Sequence, residues 1–116
     1  MTDKRLTTTW TDDGQVLVVE LGPAPANIIT AAAMDELSGL LELAAAAPRC
    51  KLIRLVGAGR HYSFGASVEE HAPGVVDAML PKFHRLIGAV LASRVPVLAE
   101  VRGLCLGGGF ELALAC

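Results

Sequence analysis

The sequence predicts an α/β fold in which strands alternate with helices in the order β-β-α-β-α-β-α. Three observations predict it. β-branched runs occupy residues 6–10, 15–21, 51–56 and 97–101, apolar residues recur at three- and four-residue spacing over 30–47 and 75–93, and glycine or proline punctuates the joins. Such alternation implies a sheet covered by helices, with the candidate site in the loops at the C-terminal ends of its strands.

The first two runs flank Asp12-Asp13-Gly14, whose Asp-Gly pair signals a tight hairpin turn. Gly22-Pro23-Ala24-Pro25-Ala26-Asn27 then forms a loop, because two prolines fix φ and remove ladder donors. From about Thr30 the period changes to that of a helix. Met34, Leu37, Leu40, Leu41 and Ala44 make its apolar stripe, Asp35, Glu36 and Glu42 its polar side, and Pro48 stops it. Residues 51–56 read as a strand broken by Gly57-Ala58-Gly59.

Ser67-Val68-Glu69-Glu70 has the spacing of a capping box, with the serine hydroxyl on a first-turn amide and Glu70 reaching back to the Ser67 amide. A short helix is expected there. A longer one lies between about Val75 and Ser93, with Met79, Leu80, Phe83, Leu86, Ile87, Val90 and Leu91 on one face and Pro81 near its start. After the strand at 97–101 and Arg102-Gly103-Leu104-Cys105-Leu106 comes Gly107-Gly108-Gly109, followed by a helix-forming run from Phe110 to Cys116.

Composition narrows the function classes. With 116 residues the chain is one domain or less, and 53% hydrophobic against 4% aromatic residues means a core of Ala, Leu and Val. No apolar stretch approaches the roughly 18 residues of a membrane span. Ten basic and 12 acidic residues give a net charge of −2 without a basic cluster, so neither nucleic acid nor a membrane is an expected partner. Met1-Thr2-Asp3-Lys4-Arg5 lacks the features of a secretion leader, and the expected compartment is the cytoplasm. Cys50, Cys105 and Cys116 lie far apart among apolar residues and are all expected to be small buried hydrophobes.

Two segments have chemical potential. Ser63-Phe64-Gly65-Ala66-Ser67 and Leu106-Gly107-Gly108-Gly109-Phe110-Glu111 each place small residues before a helix start, where unpaired amides meet the positive end of the helix dipole. Facing each other, they would offer two N–H groups to one developing oxyanion. The glycines equally permit close packing and nothing more. Glu111 follows the second turn, where a carboxylate moves protons if apolar neighbours such as Phe110 and Leu112 raise its pKa, or simply complements the dipole. Gly57-Ala58-Gly59-Arg60-His61-Tyr62 is not a dinucleotide fingerprint, since Tyr62 replaces its third glycine. His61, His71 and His84 have no ligand spacing, so no metal is expected, and Ser63 and Ser67 lie in no nucleophile elbow.

Four segments together resemble the crotonase superfamily of enoyl-CoA hydratases and isomerases. They are Pro25-Ala26-Asn27-Ile28, Leu55-Val56-Gly57-Ala58-Gly59-Arg60, Tyr62-Ser63-Phe64-Gly65-Ala66-Ser67, and Val101-Arg102-Gly103 through Gly107-Gly108-Gly109-Phe110-Glu111-Leu112. The resemblance implies a crotonase-like spiral of β-β-α units and an acyl-CoA thioester as substrate, with coenzyme A entering as part of that substrate and no separate cofactor. It implies that the amides of Ala66 and Gly108 form the oxyanion hole. Glu111 matches the catalytic glutamate of the hydratases, which in that family works with a second glutamate on a later segment. Ala66, Ser67, Val68, Glu69 and Gly108 are implied to contact substrate. Ser67 stands where the family usually has Asp and serves as well for a cap, while the bulky Phe64 implies a reshaped acyl pocket.

The stretch from Phe64 to His71 looks particularly like that of the cyclic dienoyl-CoA hydratases. A straight-chain enoyl-CoA hydratase, an enoyl-CoA isomerase and a non-catalytic acyl-CoA-binding module are the alternatives. Family members imply a homotrimer or dimer of trimers. On the same resemblance, residues 1–116 are expected to be the N-terminal part of one acyl-CoA-binding domain, cut within an apolar helix that leaves Leu112 and Leu114 uncovered. Alone, they are expected to fold poorly and catalyse nothing.

Overall fold

A hairpin opens the sheet. In the computed structural model, which describes residues 5–116, β1 (Leu6–Thr11) and β2 (Val16–Leu21) pair antiparallel from Leu6↔Leu21 to Thr11↔Val16. The residues 1–4, on which the reading of a non-secretory start partly rests, lie outside the described residues. The turn takes Asp12, Asp13 and Gly14 to positive φ in succession, conformations that Asp and Gly adopt more readily than other residues.

α1 (Ala31–Ala46) follows the proline loop and crosses to β3 (Leu52–Gly57), which lies parallel to β2. Thr30 starts the helix by accepting a hydrogen bond from the Ala33 amide at 3.2 Å. α2 (Val76–Ala92) crosses to β4 (Val97–Glu100), parallel to β3, and α3 (Gly107–Ala115) completes the chain. Sheet order is β1-β2-β3-β4. No helix is long and apolar enough to cross a membrane among the described residues.

Strand alternation decides what the core contains. Leu17, Val19 and Leu21 of β2 and Ile53 and Leu55 of β3 are buried, packed with Met34, Leu37 and Leu41 of α1, Met79, Leu86 and Val90 of α2, and Leu112 of α3. Each such leucine withdrawn from water contributes about 2 kcal/mol. Lys82 to Asp35 at 2.7 Å and Arg85 to Glu42 at 2.9 Å link the outer sides of α2 and α1. The helices gather on one face of the sheet. On the other, Val18, Arg54, Val56 and Glu100 are only part-buried and line an open cleft of about 460 Å³, so the expected helical cover is one-sided.

Several expectations need correction. Leu112 is buried, although Leu114 is exposed as anticipated. Pro81 lies inside α2 rather than near its start, because α2 begins more than a turn earlier, where the Ala72 carbonyl accepts from the Val75 and Val76 amides. Leu80 and Leu91 flank the buried stripe and are 41% and 69% exposed. Only Cys50 is fully buried. Cys105 is half-buried, and Cys116 is exposed because it lies a turn beyond Leu112, past the edge of the core. The capping box forms by half: Ser67 Oγ accepts from the Glu70 amide at 3.4 Å, but Glu70 Oε1 accepts from the Ala31 amide of α1 at 2.8 Å. The element it starts is a single 3₁₀ turn, Glu69–His71.

Candidate active site

Parallel strands end on the same edge of the sheet, so the segments leaving β3 and β4 emerge side by side. They stay together. Tyr62 and Ser63 donate to the Leu104 carbonyl at 3.1 and 3.3 Å, and the Leu106 amide donates to the Ser63 carbonyl at 2.9 Å. On the other side, Phe64 donates to the Ala26 carbonyl at 2.8 Å and Ile29 to that of Gly65 at 2.9 Å. Residues 63–66 are therefore clamped between the proline loop and the segment entering α3.

Asn27 holds the bend that brings them there. It is fully buried at φ +49, and its Nδ2 lies 2.9 Å from the Ala58 and His61 carbonyls and 3.1 Å from that of Tyr62. Two N–H bonds are thus shared among three carbonyls. Ser63 Oγ donates to the Asn27 carbonyl at 2.8 Å and accepts from the Gly65 amide at 3.1 Å. Arg102 Nη2 donates to the Gly57 carbonyl at 3.0 Å, and the Leu104 amide to His61 Nδ1 at 2.9 Å. The residues of the motifs thus bind one another's backbones.

Two glycines at this junction cannot be replaced. Gly65 sits at φ +117, and a Cβ on Gly109 would meet Ser63 Cβ at 2.8 Å, so α3 packs against the Ser63 segment only without a side chain there. This contact places the two small-residue turns face to face. A Cβ built on Gly65 would lie 3.4 Å from the Gly108 nitrogen, and one on Gly108 3.5 Å from the Ala66 nitrogen. Gly108 is the second residue of α3, where no intrahelical acceptor exists. Neither its amide nor that of Ala66 donates to any protein acceptor among the described residues.

A cavity of about 250 Å³ opens at this junction, lined by Phe64, Gly65, Ala66, Gly107, Gly108 and Glu111, together with His71, Met79 and Phe83. Glu111 is three residues after Gly108, on the same side of α3 and about one turn along. Its carboxylate is exposed: Phe110 turns to solvent and Leu112 to the core, so neither encloses it as the sequence suggested. Phe64 packs on the His61 ring at a centroid distance of 5.3 Å. Ser67, Val68 and Glu69 do not line the cavity. Ser67 is turned to Glu69 and Glu70, Val68 is 81% exposed, and the Glu69 carboxyl is held below the usual range by its own backbone amide and then by the Ser67 hydroxyl.

Unpaired amides facing a cavity with a carboxylate on its wall suit a reaction that builds negative charge on a carbonyl oxygen while a proton moves. The family model for enoyl-CoA hydratase/isomerase matches residues 11–116. The chain belongs to that family. A cyclohexa-1,5-dienecarbonyl-CoA hydratase of Thauera aromatica is 42% identical over 103 residues, 89% of this chain and 40% of the relative. A probable enoyl-CoA hydratase of Bacillus subtilis is 32% identical over 108 residues, covering 90% and 42%. The solved enoyl-CoA hydratase of Mycobacterium avium subsp. paratuberculosis superposes with a TM-score of 0.83 at 32% identity, over 97% of this chain and 42% of that one. The crotonase fold expected from the motifs is therefore present, and the chain spans about two-fifths of the length of these relatives.

Within this crotonase-family chain, sequence reasoning missed three lining residues and the clamp. The helical period puts Met79 and Phe83 in the apolar stripe of α2, and both also line the cavity. His71 figures in the sequence as a histidine without ligand spacing and as the end of the Phe64–His71 resemblance, with no role of its own. Asn27 stands in a motif without a role; its signal is an Asn, tolerant of positive φ, two residues after the second proline of the loop.

Proposed function

We propose that the protein carrying this chain adds water to a conjugated enoyl-CoA thioester, with cyclohexa-1,5-diene-1-carbonyl-CoA as the favoured substrate. The observation that carries this reading is the facing of the Ala66 and Gly108 amides across a cavity that Glu111 also lines. The thioester oxygen sits between the two amides, which stabilise the enolate formed as water adds; one such donor is worth about 3 kcal/mol. Glu111 takes the proton of the attacking water and serves as the general acid–base group. Phe64 shapes the acyl end, and the backbone of residues 66–69 borders the coenzyme A channel.

Substrate choice is supported by the Thauera relative, at 42% identity, and by the bulk of Phe64 in the cavity. No cofactor is needed beyond the coenzyme A of the substrate. The working protein is proposed to be a cytoplasmic homotrimer or dimer of trimers, and turnover is assigned to it rather than to these 116 residues alone. The Bacillus relative supports a second reading, hydration of a straight-chain enoyl-CoA.

Incubation with cyclohexa-1,5-diene-1-carbonyl-CoA and, separately, crotonyl-CoA tests both, with product mass as readout. Gain of one water on the cyclic thioester at the higher kcat/KM is expected. Preference for crotonyl-CoA selects the second reading, double-bond migration without mass change an isomerase, and binding without conversion a non-catalytic module.

A further inference from the structure

Ser63 is shared by the two segments that carry the Ala66 and Gly108 amides. It is fully buried, and its carbonyl accepts from the amide of Leu106, the residue that precedes α3, at 2.9 Å. Gly109 is packed so closely on its side chain that a Cβ there would stand 2.8 Å from Ser63 Cβ and 2.9 Å from its Oγ. The backbone and Cβ of Ser63 thus seat the start of α3, next to Gly108. Its hydroxyl serves the other segment. Oγ gives its hydrogen to the Asn27 carbonyl at 2.8 Å, which leaves its lone pairs to accept from the Gly65 amide at 3.1 Å.

Gly65 directly precedes the Ala66 amide and is the loosest joint of its turn. It has no Cβ and sits at φ +117, and rotation about its two backbone bonds swings the peptide that follows. Both peptide planes around it are held. The amide of the first is bound by Ser63 Oγ, and the carbonyl of the second accepts from the Ile29 amide at 2.9 Å. In a planar trans peptide the N–H points opposite to the C=O, so the plane that carries the Gly65 carbonyl also aims the Ala66 N–H.

We propose that Ser63 is a positioning residue for the oxyanion hole, whose hydroxyl locks Gly65 and so holds the Ala66 N–H on the thioester oxygen. The inference rests on the acyl-thioester part of the proposed function and adds a residue that does not itself touch substrate. A fixed donor stabilises the charge that builds on the oxygen without reorganising, whereas a donor that swings with Gly65 loses part of that effect. Removal of the hydroxyl takes the partner from the Asn27 carbonyl and from the Gly65 amide. The Ala66 amide is then displaced, while Gly108, seated through the Ser63 backbone and Cβ, keeps its place.

Ser63→Ala removes the hydroxyl alone, and Ser63→Cys keeps the shape with a weaker donor and acceptor. Two readouts are taken in the protein that carries this chain. The first is kcat and KM for hydration of cyclohexa-1,5-diene-1-carbonyl-CoA and crotonyl-CoA. The second is the infrared carbonyl stretch of bound cyclohexanecarbonyl-CoA, isotope-labelled at its carbonyl carbon, which has no alkene to hydrate. Hydrogen bonds to the oxygen lower that frequency. The wild type is expected to lower it below the value in water, and Ser63→Ala to return it part of the way. In Ser63→Ala kcat falls by about tenfold or more with KM within about threefold, and Ser63→Cys lies between. A purely structural role lowers only the thermal midpoint, so folded Ser63→Ala at wild-type kcat or at the wild-type frequency overturns the inference. Should Ser63→Ala fail to fold, Ser63→Cys decides: a frequency closer to that in water supports the role, and the wild-type frequency overturns it. A wild type that leaves the stretch at its value in water overturns the inference as well. A wild type that lowers it in a Ser63-dependent way yet hydrates neither thioester supports the inference and overturns the hydratase reading alone.

Discussion

Gly108 and Ala66 face each other so closely that a Cβ on Gly108 would rest 3.5 Å from the Ala66 nitrogen and 3.6 Å from its Cβ. Those are ordinary contact distances, so the site accepts a methyl group without strain. Gly108→Ala is expected to fold, with stability unchanged or raised by up to about 1 kcal/mol from helix propensity. Its methyl takes the space assigned to the thioester oxygen, and hydration falls by about 100-fold. Thermal melts and turnover on the same sample check this; wild-type turnover would remove the oxygen from that position.

Asn27→Ala leaves the Ala58, His61 and Tyr62 carbonyls without their shared donor and puts alanine at φ +49. The expected loss is about 2–4 kcal/mol in urea unfolding. Asn27→Asp should be worse, because a carboxylate offers only acceptors to three carbonyl oxygens. A loss below about 0.5 kcal/mol for Asn27→Ala would mean that the bend is held by other contacts.

These two residues show where the sequence was legible. Local patterns gave the hairpin through Asp13-Gly14 and α1 through Met34, Leu37 and Leu41, because the period of side chains along an element is a local property. The cavity wall at Gly65, Ala66, Gly108 and Glu111 was legible through small residues before a helix start. Asn27 was not, since its partners lie more than 30 residues away and its φ is invisible in a composition pattern. Pro81 misled because a missing N–H in the second turn of α2 is tolerated once neighbouring packing holds the helix. The open face of the sheet around Arg54 and Glu100, paired at 2.6 Å, was equally hidden, for alternation tells which residues share a face and not what covers it.

Tyr62 is fully buried with its hydroxyl unpartnered among the described residues, and burial, followed by the nearby Cys116 and Cys105, pushes its pKa well above the usual value. The folded state thus holds the phenolic proton more tightly than the unfolded state does. This contribution is complete below the unfolded value near pH 10 and is lost as pH rises above it. Tyr62→Phe is expected to match or exceed wild-type stability by up to about 1 kcal/mol at neutral pH and to show a shallower alkaline loss. Urea unfolding at neutral pH and above about pH 10 checks it, and parallel curves would contradict it.

Glu111 is the group on which the proposed chemistry turns. Turnover of cyclohexa-1,5-diene-1-carbonyl-CoA by the Glu111→Gln variant, in the protein that carries this chain, is the most direct measurement. Because Glu111 is exposed, folding and thioester binding should be retained while kcat falls by about 100-fold or more. Unaltered turnover in a correctly folded variant would contradict the assignment of Glu111 as the acid–base group, and with it the mechanism.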